Sequence, residues 1–188
     1  MKFVRETVKE SAIGVGIADD SAALSTFLQP GCAAAIWRRQ TPPKVQSWLD
    51  GVDADVLPRA RVVLPPRAVG EVIQNLFDMA GLPFGPEREW LQKDIVGLAD
   101  MFSDLLQAKY LRLRLDVVTT NACRRFHIDA ITARLICTYR GTGTQYGIST
   151  DGADRNACSR FKPARPYFCA ARFGPANRLP VCCIVHPQ

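Results

Sequence analysis

At 188 residues, 47% hydrophobic and 22% charged, the chain is long enough to bury one self-sufficient core, and its balance excludes a disordered or fibrous protein. Its net charge of +6 is no argument for a nucleic-acid partner, because no acidic residue follows Asp154 whereas six of the 24 basic residues do, leaving 18 basic against 18 acidic residues before that point. Seven cysteines, an odd number without C-x-x-C spacing, exclude a disulfide framework and a zinc ribbon and imply the reduced thiols of a cytoplasmic protein.

In chain order, the first 20 residues carry Lys2, Arg5, Glu6, Lys9 and Glu10 and so offer no apolar signal-peptide core. Residues 1–30 have weak periodicity and predict an irregular arm with a short helix near 21–28. The longest uncharged run, 21–37, is broken by Pro30 and Gly31 and is too interrupted to cross a membrane. Residues 33–37 predict a brief strand ended by Arg38 and Arg39, and Pro42 and Pro43 open a helix over 44–49.

Between 67 and 80 the apolar positions Val69, Val72, Ile73, Leu76, Phe77 and Ala80 recur at helical spacing, with Gly81 as the stop. Pro86 opens a second helix, in which Trp90, Leu91, Ile95, Leu98, Phe102, Leu105 and Leu106 form the apolar stripe. The period then changes. Leu111, Leu113, Leu115 and Val117 alternate with Arg112, Arg114 and Asp116, the pattern of a strand with one buried face. Further strands are expected over 123–129 and 133–140, the latter stopped by Gly141-Thr142-Gly143. Helices followed by strands predict an α+β fold, with N-terminal helices packed on an antiparallel sheet.

The stretch with the most chemistry is Cys123-Arg124-Arg125-Phe126-His127-Ile128-Asp129. Residues two apart on a strand share a side, so His127 and Asp129 converge. With a second His from a distant strand they would complete the facial triad that holds non-haem Fe(II) and leaves positions open for oxygen and a co-substrate. The plainer reading makes His127 a hydrogen-bonded, half-buried histidine and Asp129 a turn cap. Arg124 and Arg125 read as a solvated face. The glycines after the last strand read as a hairpin turn rather than a phosphate cradle, because no helix follows them.

The run at 123–146, CRRFHIDAITARLICTYRGTGTQY, resembles the signature of a bacterial family, domain of unknown function 1826. Ala34, Ile36, Trp37, Arg38 and Arg39, together with residues 111–115, resemble it as well, so the likeness covers most of 30–154. The family has Gly-Pro-Gly-Thr where this chain has Gly141-Thr142-Gly143-Thr144. The resemblance implies part of a double-stranded β-helix, with His127 and Asp129 as metal ligands and Tyr139 and Arg140 as the candidate cofactor-binding pair. It implies Fe(II) and 2-oxoglutarate as cofactors and a small-molecule substrate. Zn in a non-enzymatic binding module is the alternative, since Zn²⁺ also accepts His and carboxylate.

The family pattern ends in His-Arg-Ser-Pro-Pro, which this chain lacks. Residues 155–188 hold no acidic residue, five prolines and four cysteines, with neither a helical nor a strand period. GC-rich codons chosen for this stretch and read two bases along can yield that ending, with the distal His encoded across Cys183 and Ile184. The expected division is therefore one α+β domain over 1–154 and an aberrant, out-of-frame or disordered tail over 155–188. Such a chain lacks the distal metal ligand and an Arg beyond it, and a lost strand would leave an unpaired sheet edge.

Overall fold

The computed structural model describes residues 2–5, 14–30, 32–118, 133–141, 167–172 and 181–184. In chain order the elements are β1 (Lys2–Arg5), β2 (Gly14–Ala18), a 3-10 helix (Ser21–Leu28), β3 (Cys32–Arg38), α1 (Pro43–Gly51) and a 3-10 turn (Ala54–Val56). There follow β4 (Ala60–Leu64), a 3-10 turn (Pro66–Ala68), α2 (Val69–Ala80), α3 (Pro86–Leu106), β5 (Leu111–Leu115), β6 (Ala133–Cys137), β7 (Tyr167–Arg172) and β8 (Val181–Ile184). The fold is α+β.

Local signals set the start of α3 and the stop of α2. Pro86 supplies the preset φ of a first helical turn to α3. Gly81 ends α2 at φ 72, in the left-handed region where a missing Cβ removes the steric cost, and the Leu82 amide donates back to the Phe77 carbonyl at 3.0 Å. Ile73 and Phe77 of α2, with Leu91, Ile95, Leu98 and Phe102 of α3, enter one core cluster with Leu64 of β4, Leu111, Leu113 and Leu115 of β5, and Leu135 of β6. The alternation expected around residue 111 holds: Leu111, Leu113 and Leu115 are buried while Arg112 and Arg114 are half-buried. Val117 lies beyond the end of that strand.

The strands form one sheet in the order β1-β2-β3-β7-β6-β8-β5-β4. Four of its seven pairs are antiparallel (β1-β2, β3-β7, β4-β5, β6-β7) and three are parallel (β2-β3, β5-β8, β6-β8). The pairing is thus mixed, where an antiparallel sheet was expected. The strands β3 and β6 are each antiparallel to their shared neighbour β7, so they run in the same direction and stop at the same end of the sheet. Phe168 is in register with both Trp37 and Cys137, which brings those two residues level, with β7 between them.

Residues 1–30, expected as an irregular arm, contribute β1 and β2, and the short helix falls at 21–28 as anticipated. β2 is silent to periodicity because Gly14, Gly16 and Ala18 supply no apolar contrast, and β1 is too short, at four residues, to show a period. Segment 155–188 contributes β7 and β8, both interior to the sheet order. The strand expected over 123–129 and the turn residues 142–144 lie outside the described residues.

Candidate functional site

Beyond the shared end of β3 and β6 the chain places polar side chains in the core. Counting two residues on from the level pair Trp37 and Cys137 reaches Arg39 and Tyr139, on the same face by strand alternation. Asp94 of α3 joins them: one carboxylate oxygen accepts from Arg39 Nη2, and the other accepts from the Tyr139 hydroxyl at 2.5 Å. The Arg39 side chain is 7% exposed and that of Asp94 14%, so this is a largely desolvated ion pair. The Arg39 guanidinium also lies 5.0 Å from the centre of the Trp37 ring, a cation–π distance.

Surrounding elements hold this cluster from outside. Gln46 of α1 donates through Nε2 to the Tyr139 carbonyl at 3.2 Å and to Asp50 at 2.9 Å. Arg140 donates through Nη1 to the Val52 carbonyl at 2.7 Å, tying the end of β6 to the segment after α1. Trp37 donates from its indole to the Asp19 carbonyl at 3.2 Å.

Burial sets the protonation states. It pushes the Cys137 thiol up to about 12, helped by the Asp94 carboxylate and only partly offset by Arg39 and Tyr139. It likewise pushes the Tyr139 phenol well above its ordinary value, with Cys137 and Asp94 adding to the effect. For Arg39, burial opposes the charge, but the neighbouring Cys137 and Asp94 outweigh it and raise the guanidinium above its usual value. At neutral pH the cluster therefore holds a protonated thiol, a neutral phenol and a charged guanidinium. It lacks an activated nucleophile, since a thiol attacks only as its thiolate. What it offers is rigid, oriented hydrogen bonding.

Of the residues singled out from sequence, Tyr139 is fully buried with its hydroxyl committed to Asp94, and Arg140 is half-buried with one nitrogen committed to Val52. His127 and Asp129 lie outside the described residues. Among the described residues no three His, Cys, Asp or Glu side chains group as a metal site, and none of the described residues is a histidine.

Arg39 and Asp94 were not anticipated as a pair. Arg39 read as the polar stop of a strand. Asp94 had a signal: it sits three residues after Leu91 and four before Leu98, on the apolar stripe of α3, where an isolated carboxylate calls for a buried partner.

Fold and cluster together define an α+β domain with a buried Arg–Asp–Tyr network at one end of a mixed sheet. Residues 18–176 match the family described as Protein of unknown function (DUF1826), and the chain belongs to that family. The match runs beyond Asp154 and takes in all of β7. No curated protein and no solved structure matches the chain. Among the described residues no helix is long and apolar enough to cross a membrane.

Proposed function

We propose that this domain binds a metal ion through His127 and Asp129 and acts on a small molecule, with the oxygenase pair Fe(II) and 2-oxoglutarate as its cofactors. The observation that carries this reading is the His-x-Asp spacing in a strand-patterned segment, which puts two metal-ligand side chains on one side. Fe(II) with 2-oxoglutarate supplies oxygen activation when bound. Tyr139 and Arg140 are the proposed cofactor contacts. Since the phenol is held by Asp94, the N–H groups of Arg140 not bonded among the described residues are the donors this pair can offer a carboxylate.

The same reading takes the sheet as part of a double-stranded β-helix, an architecture that requires a second, facing sheet. It places the protein in the cytoplasm, in keeping with its odd cysteine count. It also takes residues 155–188 as read in a shifted frame, so that the distal His belongs to a repaired chain. Sequencing the gene across codons 150–188 tests that part directly: an ending of His-Arg-Ser-Pro-Pro in another frame supports it, and its absence from all frames removes the third ligand.

The functional test is anaerobic Fe(II) titration of the repaired chain, followed by measurement of oxygen-dependent succinate release from 2-oxoglutarate. Fe(II) binding should be lost in the double variant His127→Ala, Asp129→Ala; binding that survives both changes defeats the proposal. A second reading is a zinc or small-ligand module without turnover, since Zn²⁺ also accepts His and carboxylate. Tight zinc with no succinate release would select it.

A further inference from the structure

We propose that the face of the β4-β5 pair turned away from the helices binds single-stranded nucleic acid, with Arg61, Arg112 and Arg114 on its phosphates and Tyr110 against a base. None of these residues takes part in the metal reading.

Strand register places them together. Arg61 pairs with Arg114 and Val63 with Arg112, so these four side chains share one side of the sheet. The leucines that alternate with them, Leu64, Leu111, Leu113 and Leu115, are buried in the core cluster with α2 and α3, which fixes the arginine side as the outer one. Tyr110 immediately precedes β5, and the same alternation sets it beside Arg112. Solvent reaches this face: Arg61 is exposed, Val63 and Tyr110 are each 52% exposed, and the Arg114 side chain is 40% exposed. Arg134 of β6 stands level with Arg112, since both are in register with Val181 of the intervening β8.

The charge on this face is a matter of placement. Residues 1–154 balance overall, yet β4, β5, β6 and β8 carry no acidic residue. Asp116, just beyond β5, accepts from Arg114 Nε at 2.7 Å, whereas Arg61 and Arg112 have no ion-pair partner among the described residues. Arg61 directly opposite Arg114 is a like-charge pair, which costs stability in the free protein and which an overlying anion relieves. Arg112 and Arg114, two residues apart on a strand, are about 7 Å apart, a spacing comparable with that of successive phosphates along an extended strand. Guanidinium forks match phosphate oxygens. The exposed tyrosine separates a nucleic acid from an acidic peptide: any base can stack on its ring, whereas the negative face of that ring offers a carboxylate nothing.

The test is fluorescence anisotropy of short fluorescein-labelled oligothymidylate and oligouridylate with the full chain in EDTA at low salt, with poly-glutamate as the acidic-peptide control. Saturable binding of at least one oligonucleotide is expected, with log K falling against log salt at a slope of about −2, the value for three phosphates neutralised on a single strand. Arg61→Gln and Arg112→Gln should each take about 0.7 off that slope. Their melting temperatures should be unchanged, or higher for Arg61→Gln, which relieves the repulsion with Arg114. Tyr110→Ala should weaken binding on the order of tenfold with the salt slope intact, and Tyr110→Phe should bind as the wild type does. No saturable binding, or poly-glutamate bound as tightly as the oligonucleotides, overturns the proposal. So does binding that every variant retains at full strength, which would belong to the basic residues after Asp154.

Discussion

Asp94 accepts hydrogen bonds from two donors, 55 residues before it and 45 after it in the sequence, so its removal is felt twice. In Asp94→Ala the Arg39 guanidinium stays in a buried site without its carboxylate and the Tyr139 hydroxyl loses its acceptor. A stability loss of about 3–5 kcal/mol is expected by urea denaturation, the usual result of breaking a buried ion pair from one side. Tyr139→Phe removes one neutral donor and leaves the ion pair in place, so it should cost only about 1–2 kcal/mol. Equal losses from the two variants would show that the phenol, and not the ion pair, anchors the cluster.

Cys137 gives the cluster an alkaline limit. Its thiol is raised in the folded state from 9.0 to about 12, so below pH 9 it is protonated whether the chain is folded or not and contributes no pH dependence. Above that, the unfolded thiol ionises first and the unfolded state is favoured. Stability is thus lost as pH rises from about 9 towards 12, by on the order of 4 kcal/mol from this group alone, and Tyr139 adds in the same direction. Urea midpoints taken across this range should fall steeply for the wild type and less for Cys137→Ala. A flat profile would show that the thiol is not buried in the folded protein.

Two positions, one within a strand and one at a helix end, carry conformational constraints of opposite kinds. Gly16 of β2 lies against the 3-10 helix so closely that an added Cβ would meet Thr26 Oγ1 at 2.6 Å. Thr26 is buried and β-branched and has little room to turn away. Gly16→Ala should therefore destabilise the chain by about 1–3 kcal/mol, the range for overpacking, seen as a lower melting temperature. At the end of α3 the position is reversed: Gln107 adopts φ 51, a left-handed conformation that costs an L-residue about 1–2 kcal/mol. Gln107→Gly should raise stability by about 0.5–1 kcal/mol, the larger backbone entropy of glycine and the lost side-chain bond to Asp104 taking back part of the gain. A lower melting temperature for this variant would show that the side-chain bond outweighs the strain.

The elements legible in advance are those whose signals are local. Gly81 and Pro86 bound α2 and α3, and the Leu/Arg alternation of β5 displays its buried face one residue at a time. β4 was missed because Ala60–Leu64 is a short run between prolines, with only Leu64 fully buried. β1 and β2 were missed because their existence depends on pairing: β1 is only four residues long, and the glycines and alanine of β2 say nothing about which face is inside.

For the molecule as a whole, β7 and β8 occupy interior positions: β7 separates β3 from β6, and β8 separates β6 from β5. Ending the chain at Asp154 would divide the sheet into β1-β2-β3, an isolated β6 and β5-β4, each with open edges. The truncated protein is expected to lose cooperative melting and to precipitate where the full chain does not. A sharp transition at the full-length temperature would show that the last 34 residues add nothing to the fold.

By itself the sequence determined the α+β class, the three helices with Gly81 and Pro86 as the end of α2 and the start of α3, the buried face of β5, and the charge and cysteine discontinuity at Asp154, because each depends on residues within a few positions of one another. It also singled out Tyr139, through a resemblance and without any indication of its partner. Only the tertiary structure decided that the sheet is mixed and that β3 and β6 stop together. It alone joined Arg39, Asp94 and Tyr139 into one network, because the partners lie 55 and 45 residues apart and no local pattern encodes which distant donor meets a buried carboxylate.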